Sequence, residues 1–156
     1  MTHLKIGDNA PAINSVDQNG DAITLEQFKG KKVVLYFYPK DMTPGCTVQS
    51  CNLRDNYQAL LDKGYVVLGC SVDSPERHIK FIEKYDLPFS LISDEEKKVV
   101  EDYGVWGLKK FMGKEFMGVI RSTFIINKQG KIAHIMSKVK TKTHHNDVLE
   151  ILESLD

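Results

Sequence analysis

The chain has 156 residues, of which 42% are hydrophobic, and its 21 basic residues are matched by 21 acidic ones. This length and composition are typical of one compact domain, so we predict a single domain over residues 1–156. The neutral charge balance gives no electrostatic case for nucleic acid or an anionic membrane as the main partner.

The first eight residues contain no apolar segment of the kind found in secretory signals. No apolar run elsewhere approaches the ~20 residues that a membrane-spanning helix needs. We therefore expect a cytoplasmic protein that does not enter the membrane.

The N-terminal region predicts a β-hairpin followed by a buried strand. Residues 12–16 and 22–25 flank the sequence Gln-Asn-Gly-Asp at 18–21, which is a strong turn signal. Residues 32–38 then form a continuous apolar run rich in valine and aromatic residues. Such a run is typical of a central strand that is buried on both faces.

The rest of the chain predicts alternating helices and strands. Ser74 and Pro75 form a helix start, as N-cap and first helical residue. Residues 104–118 are rich in glycine and aromatic residues, and we expect mostly loop there. The other predicted elements are helices over 47–63, 75–85, 95–103 and 143–155, and strands over 65–72, 90–92, 121–126 and 131–137. This order predicts an α/β fold, a central mixed sheet flanked by helices on both faces with an N-terminal hairpin, and by analogy a thioredoxin-like arrangement.

The segment with the most chemical information follows the buried strand and spans residues 39–51. In open α/β sheets, sites form beyond the carboxyl ends of strands. We expect Thr43 to be the N-cap of the next helix, Pro44 its first residue and Cys46 part of its first turn. Free backbone N–H groups and the positive end of the helix dipole would stabilise a thiolate at Cys46.

Two neighbours of Cys46 suit a small oxygen-containing substrate. Gly45 has no side chain, which leaves room beside the sulfur, and Thr43 carries a hydroxyl that can bond a thiol or a bound oxygen. The simpler alternative is that Thr43 is only a helix cap and Cys46 only a small core residue.

The cysteine spacing separates two kinds of thiol chemistry. A dithiol exchange enzyme places its second cysteine three positions after the first, whereas Cys51 follows Cys46 by five. On a regular helix that spacing puts the two α-carbons roughly 8–9 Å apart, beyond the ~7 Å that a disulfide allows. These cysteines can therefore bond only if part of the helix unwinds.

The chain resembles the peroxiredoxin family, and within it the bacterioferritin-comigratory or peroxiredoxin Q group. The family signature P-x-x-x-T-x-x-C matches Pro39, Thr43 and Cys46, and the extension T-P-G-C-T-x-x-x-C continues to Cys51. The arginine that opens a strand in this group is similar to Arg121. The resemblance spans essentially the whole chain.

The resemblance implies a thiol peroxidase that needs no metal or other cofactor. Cys46 would attack hydrogen peroxide or an organic hydroperoxide and become a sulfenic acid, and Cys51 would resolve it to a disulfide that thioredoxin reduces. Thr43 and Arg121 would hydrogen-bond the peroxide oxygens, and Pro39 would shape the pocket. Members of this group are commonly monomeric, and some dimerise.

Other interpretations of the same residues stay open. The chain could be a thiol–disulfide oxidoreductase without peroxidase activity, or a redox-sensing or chaperone-like binding protein. Arg121 taken alone is typical of a solvated surface charge. Cys70 lies in an apolar run and is expected to be an inert core residue. The adjacent His144 and His145 point to different helix faces, which argues against a metal site there.

Overall fold

The protein is a central sheet with helices on both faces and a small separate hairpin. The structure, a computed structural model, describes residues 2–155, with the backbone alone at Phe111. The strands are β1 (Asn14–Val16), β2 (Ala22–Thr24), β3 (Lys32–Phe37), β4 (Tyr65–Ser71), β5 (Ser90–Ser93), β6 (Trp106–Phe111), β7 (Lys114–Val119), β8 (Ser122–Ile126) and β9 (Ile132–Met136). The helices are α1 (Pro44–Asp55), α2 (Tyr57–Asp62), α3 (Pro75–Tyr85), α4 (Lys98–Asp102) and α5 (His144–Leu155), with one 3-10 turn at Leu25–Phe28.

The main sheet has the strand order β2-β1-β5-β4-β3-β8-β9. Strand β4 runs parallel to both β3 and β5, while β8 pairs antiparallel with β3 and β9. Strands β1 and β2 form the antiparallel hairpin predicted at the N-terminus. The predicted mixed sheet is therefore confirmed.

Strand β3 divides the interior into two cores because its successive side chains point to opposite faces. Val33, Leu35 and Phe37 belong to one buried cluster, and Val34 and Tyr36 belong to the other. Both sets are at most 1% exposed, which is why this strand has a continuous apolar sequence rather than an alternating one.

The helices cover both faces unequally. Four of them pack on the face of Val34 and Tyr36, and their buried residues there include Leu53 of α1, Leu60 of α2, Phe81 of α3, and Val148 and Leu152 of α5. Helix α4 covers the opposite face through Val99 and Val100. The fold confirms the expected sheet flanked by helices on both sides.

The prediction of a loop over 104–118 is wrong, because β6 and β7 form an antiparallel hairpin there. Its two-residue turn places both Met112 and Gly113 at positive φ, 51° and 78°. Two positive φ values are typical of the tight turns that match the twist of paired strands. Gly113 therefore marks the turn, whereas Gly107 and Gly118 pair with each other within the two strands.

Two predicted helices differ from the observed ones. The helix predicted over 47–63 is divided into α1 and α2 by Asn56, whose backbone leaves the helical region at φ −113° and ψ 11°. The helix predicted from 95 begins only at Lys98, after Lys97 takes a φ of 64°. There the Asp94 carboxylate accepts hydrogen bonds from the amides of Val99 and Val100 and replaces the missing helical turn.

The predicted start of α3 is confirmed, since the Ser74 hydroxyl accepts a hydrogen bond from the amide of Arg77. Within residues 2–155, none of the helices combines the length and the apolar character that crossing a bilayer requires.

Candidate active site

Cys46 lies where the central strand passes into a helix. Strand β3 ends at Phe37, a short loop follows, and α1 begins at Pro44 after Thr43 in extended conformation. Cys46 is the third residue of α1, in the turn whose N–H groups have no partner within the helix. Its side chain is buried, with 1% exposure. The predicted position of this residue is therefore confirmed.

Thr43 occupies the N-cap position but does not cap the helix with its side chain. Its hydroxyl donates a 2.8 Å hydrogen bond back to the carbonyl of Lys40. This corrects the expected capping bond. Because the hydroxyl hydrogen is used on the loop, the oxygen lone pairs are left to accept a hydrogen bond from a hydroxyl group brought to the site.

Arg121 reaches Cys46 because of strand pairing. Strand β8 runs antiparallel to β3 with Ser122 opposite Phe37, so the residue just before β8 lies beside the loop that follows β3. From there the guanidinium Nη2 donates to the Cys46 sulfur across 3.3 Å. The structure therefore brings the predicted arginine and cysteine together across 75 positions of sequence.

A second set of hydrogen bonds fixes the arginine. It continues to residues that no sequence pattern links to Cys46. Nη1 of Arg121 donates to Oε1 of Gln49, whose Nε2 lies 3.2 Å from Nδ1 of His144. Nε2 of His144 lies 2.8 Å from the hydroxyl of Thr123. Since the Gln49 oxygen accepts from the arginine, its NH₂ group must donate to His144.

The ionisation of His144 agrees with this direction of bonding. Burial, together with the positive charges of Arg121 and His145, lowers the pKa of His144 to about 4, although Asp147 opposes the shift. The ring is therefore neutral at pH 7, with Nδ1 as the acceptor. The sequence offered one indication that Gln49 belongs to the site, because a residue three positions after Cys46 lies on the same helix face as Cys46. It offered no such indication for His144.

The other two cysteines lie in different surroundings. Cys51 is a half-buried free thiol on α1, and partial burial raises its pKa. Cys70 belongs to the core cluster on the opposite face of the sheet from Cys46, and full burial raises its pKa strongly. The expectation of a buried core role for Cys70 is confirmed.

The surroundings of Cys46 include the hairpin and the loop before α5. Burial and the nearby Arg121 charge lower the pKa of Lys109 on β6, whose ammonium donates to the Val119 carbonyl. A β-carbon added to Gly45 would lie 3.5 Å from the Arg121 guanidinium and 3.7 Å from a methyl of Thr141. A side chain at position 45 would therefore be in van der Waals contact with the arginine, and glycine leaves that position unfilled. Pro39 is half-buried at the start of the loop.

One group of side chains within residues 2–155 has the spacing to hold a metal ion, namely Asp41, Asp73 and His78. It does not include Cys46. His144 already bonds Gln49 and Thr123, so the two adjacent histidines do not form a metal pair.

Comparison with known proteins identifies this arrangement. Residues 6–135 match the model of the AhpC/TSA family. The chain belongs to the AhpC/TSA family and is a peroxiredoxin. Peroxiredoxin Bcp of Escherichia coli (strain K12) is 50% identical to it, with 98% of each chain covered. Peroxiredoxin Bcp of Bacillus subtilis (strain 168) is 45% identical, with 97% of each covered.

Solved structures agree with that assignment. A crystal structure of a Xylella fastidiosa PrxQ mutant superposes with a TM-score of 0.93 at 28% identity, covering 99% of both chains. The Xanthomonas campestris bacterioferritin comigratory protein gives a TM-score of 0.88 at 30% identity, also with 99% coverage of both. This peroxiredoxin therefore has the thioredoxin-like fold of its group, as the resemblance implied, and its activity is that of a thiol peroxidase.

Proposed function

We propose that this peroxiredoxin reduces hydrogen peroxide and organic hydroperoxides at Cys46, with Cys51 as the resolving cysteine and an external dithiol such as thioredoxin as the reductant. The observation that carries the proposal is the 3.3 Å hydrogen bond from Arg121 to the Cys46 sulfur. A guanidinium donor to sulfur, at a helix N-terminus, stabilises the thiolate that attacks a peroxide.

In the first step the Cys46 thiolate attacks one peroxide oxygen and the O–O bond breaks. Sulfur loses two electrons and becomes a sulfenic acid, while the second oxygen leaves as hydroxide or alkoxide and takes up a proton. Arg121 can donate to the oxygen on which charge develops, and Thr43 can accept from the peroxide hydroxyl while its own hydrogen stays on Lys40. Pro39 would limit the pocket on the strand side.

In the second step the Cys51 sulfur attacks the sulfenic sulfur, forming an S–S bond and releasing water. The two residues lie five positions apart on α1, so their α-carbons are separated by roughly 8–9 Å while the helix is intact. Because a disulfide requires less than ~7 Å, part of α1 must unwind first. The raised pKa of Cys51 keeps it a neutral thiol during the first step, which leaves Cys46 as the attacking sulfur.

The substrate class and the reductant are supported by similarity. An alkyl peroxide reduction activity has been attributed to the Xanthomonas campestris bacterioferritin comigratory protein, and this favours organic hydroperoxides as substrates here. A dithiol reductant suits an intramolecular disulfide that becomes exposed when α1 unwinds.

The deciding experiment combines stopped-flow oxidation with mass spectrometry after one equivalent of peroxide. We expect rapid oxidation and a Cys46–Cys51 disulfide in the wild type, no rapid phase in Cys46→Ser, and a stalled sulfenic acid in Cys51→Ser. Cys70→Ser is the matched control, because its sulfur lies on the other face of the sheet, and it should behave as the wild type. Oxidation as slow as that of free cysteine, or a disulfide that includes Cys70, would reject the proposal.

A further inference from the structure

A buried cluster of ionisable side chains lies beneath the loop that carries Pro39 and Thr43. Asp41 in this loop and His78 on α3 are both 0% exposed, and Asp73 is 7% exposed. Nδ1 of His78 lies 2.6 Å from Oδ2 of Asp41, and Nε2 of His78 lies 3.0 Å from the carbonyl of Ile92. None of these groups has a part in the proposed chemical steps.

The hydrogen bonds of His78 determine where its protons are. A backbone carbonyl can only accept, so Nε2 carries a hydrogen. The other oxygen of Asp41 accepts the hydroxyl of Tyr38 at 2.5 Å, which leaves Oδ2 to share one proton with Nδ1. The pair therefore shares that proton across a 2.6 Å contact that is closed to water.

Neighbouring charges around the pair are balanced. The Asp73 carboxylate contacts the Arg77 guanidinium at 3.1 Å and accepts from the Ser71 hydroxyl at 2.7 Å. One negative charge thus faces one positive charge beside the Asp41–His78 pair. A metal ion at the same three side chains would displace the shared proton and face the Arg77 charge, so we favour the proton as the occupant.

The same cluster holds the backbone of Asp41. Its amide donates to Asp73 across 2.8 Å, and its carbonyl accepts from Arg77 across 3.3 Å. The next residue, Met42, has a φ of 67°, a conformation that non-glycine residues rarely adopt. Thr43 then bonds back to Lys40. The cluster therefore holds a strained turn in place immediately before the first turn of α1.

We propose that Asp41 and His78 are positioning residues for the peroxide step, holding the loop over 39–43 so that Thr43 and the start of α1 surround Cys46 in the reactive arrangement. The pair acts through the loop and does not contact the reacting atoms. This proposal rests on the proposed function of Cys46. It applies to the folded form in which peroxide reacts, and places no requirement on the later unwinding of α1.

The test compares two substitutions at the same position. Asp41→Asn nearly preserves the shape of the side chain, keeps the oxygen that accepts from Tyr38 and can donate its amide to Nδ1 of a neutral His78, so the bonding is retained without charge. Asp41→Ala removes both bonds. Two rate constants are measured by stopped flow, the oxidation of Cys46 by hydrogen peroxide and the conversion of the sulfenic acid to the disulfide, at a temperature where urea titration shows both variants folded.

We expect Asp41→Ala to slow the oxidation roughly tenfold or more, to leave disulfide formation as fast as in the wild type, and Asp41→Asn to restore most of the oxidation rate. Nitrogen-15 NMR of the wild-type histidines should show both ring nitrogens of His78 protonated. Equal oxidation rates in Asp41→Ala and the wild type would overturn the positioning role. Equal slowing of both steps would also overturn the positioning role, because it would show that Asp41 only stabilises the protein as a whole.

If His78 shows one unprotonated nitrogen, or if zinc alone binds the reduced protein in a manner that Asp41→Ala abolishes, the shared-proton assignment is wrong. If the wild type itself is not oxidised at Cys46, the proposed function fails, and that outcome is distinct because it does not depend on Asp41.

Discussion

The buried His144 makes the stability of this peroxiredoxin depend on pH in a defined window. Its pKa in the folded protein is about 4, against 6.5 for the exposed side chain. Below pH 6.5 the unfolded chain binds a proton that the folded chain rejects, so stability falls as the pH falls. The loss continues until the folded pKa is reached, and amounts to about 3 kcal/mol at ~1.4 kcal/mol per pH unit.

The assay is urea unfolding at 25 °C at a series of pH values between 4 and 7, for the wild type and for His144→Gln. Carboxylates also titrate near the lower end, so the informative quantity is the difference between the two proteins at each pH. We expect the wild type to lose about 3 kcal/mol more than the variant across this range. The exposed His3→Gln is the control and should follow the wild type.

Activity should fall at the lower end of this window, as the pH approaches the folded pKa of about 4 and His144 takes up a proton in the folded protein. A protonated His144 would turn an N–H toward the NH₂ group of Gln49, and the amide would have to rotate. Its NH₂ group would then face Arg121, which loses its acceptor and its fixed position beside Cys46. Parallel stability curves for the wild type and His144→Gln would refute the assignment of a buried neutral histidine.

Three further predictions concern the arginine, the helix and the hairpin. Arg121→Met should slow the first oxidation of Cys46 roughly 100-fold or more, because it removes the donor to sulfur. Arg121→Lys keeps a positive charge but lacks the forked geometry of the guanidinium, so its oxidation rate in stopped-flow measurements should lie between those of the wild type and Arg121→Met. Amide exchange over residues 46–55 should be faster in the oxidised than in the reduced protein, and equal protection would contradict the unwinding step. Met112→Gly should raise the free energy of unfolding by up to ~1 kcal/mol in urea titration, because Met112 is 87% exposed and has a positive φ.

The sequence predicts the centre of the fold because its signals there are local and strong. The run over 32–38 is buried on both faces, so its apolar pattern alone indicates a central strand. The β6–β7 hairpin has the opposite character, since Leu108, Phe116 and Met117 remain about half exposed. Strands that bury neither face completely have no clear pattern, and Gly113 at the turn resembles the glycines of a loop.

The site is predictable to the extent that it is contiguous. Thr43 and Cys46 lie in one segment whose strand-to-helix transition is visible in the sequence. Arg121 could be predicted as a site residue only through the family resemblance, because it is the register of β8 against β3 that brings it to Cys46. The sequence does not reveal Gln49 and His144 as partners, since their contact depends on how α5 packs against α1, which no local pattern specifies.

The way α1 is held explains how one helix can serve both proposed steps. Its buried residues are Cys46, Gln49, Ser50 and Leu53, so only one large aliphatic side chain anchors it. Burial of that leucine stabilises the helix by about 1.5–3 kcal/mol. Side-chain hydrogen bonds provide further anchors, among them those from Arg121 to Cys46 and Gln49, between Ser50 and Tyr36 at 2.9 Å, and from Arg54 to the Tyr85 carbonyl at 2.6 Å.

Hydrogen bonds fix direction closely but contribute only about 1 kcal/mol each to net stability, since water replaces them when the helix opens. The reduced helix is therefore well oriented without being strongly held. In the proposed cycle Cys46 becomes a sulfenic acid, which no longer carries the thiolate charge that Arg121 would stabilise, so the Arg121–Cys46 hydrogen bond would weaken. On this mechanism, oxidation itself would lower the free energy needed to unwind α1 so that Cys51 reaches the oxidised sulfur.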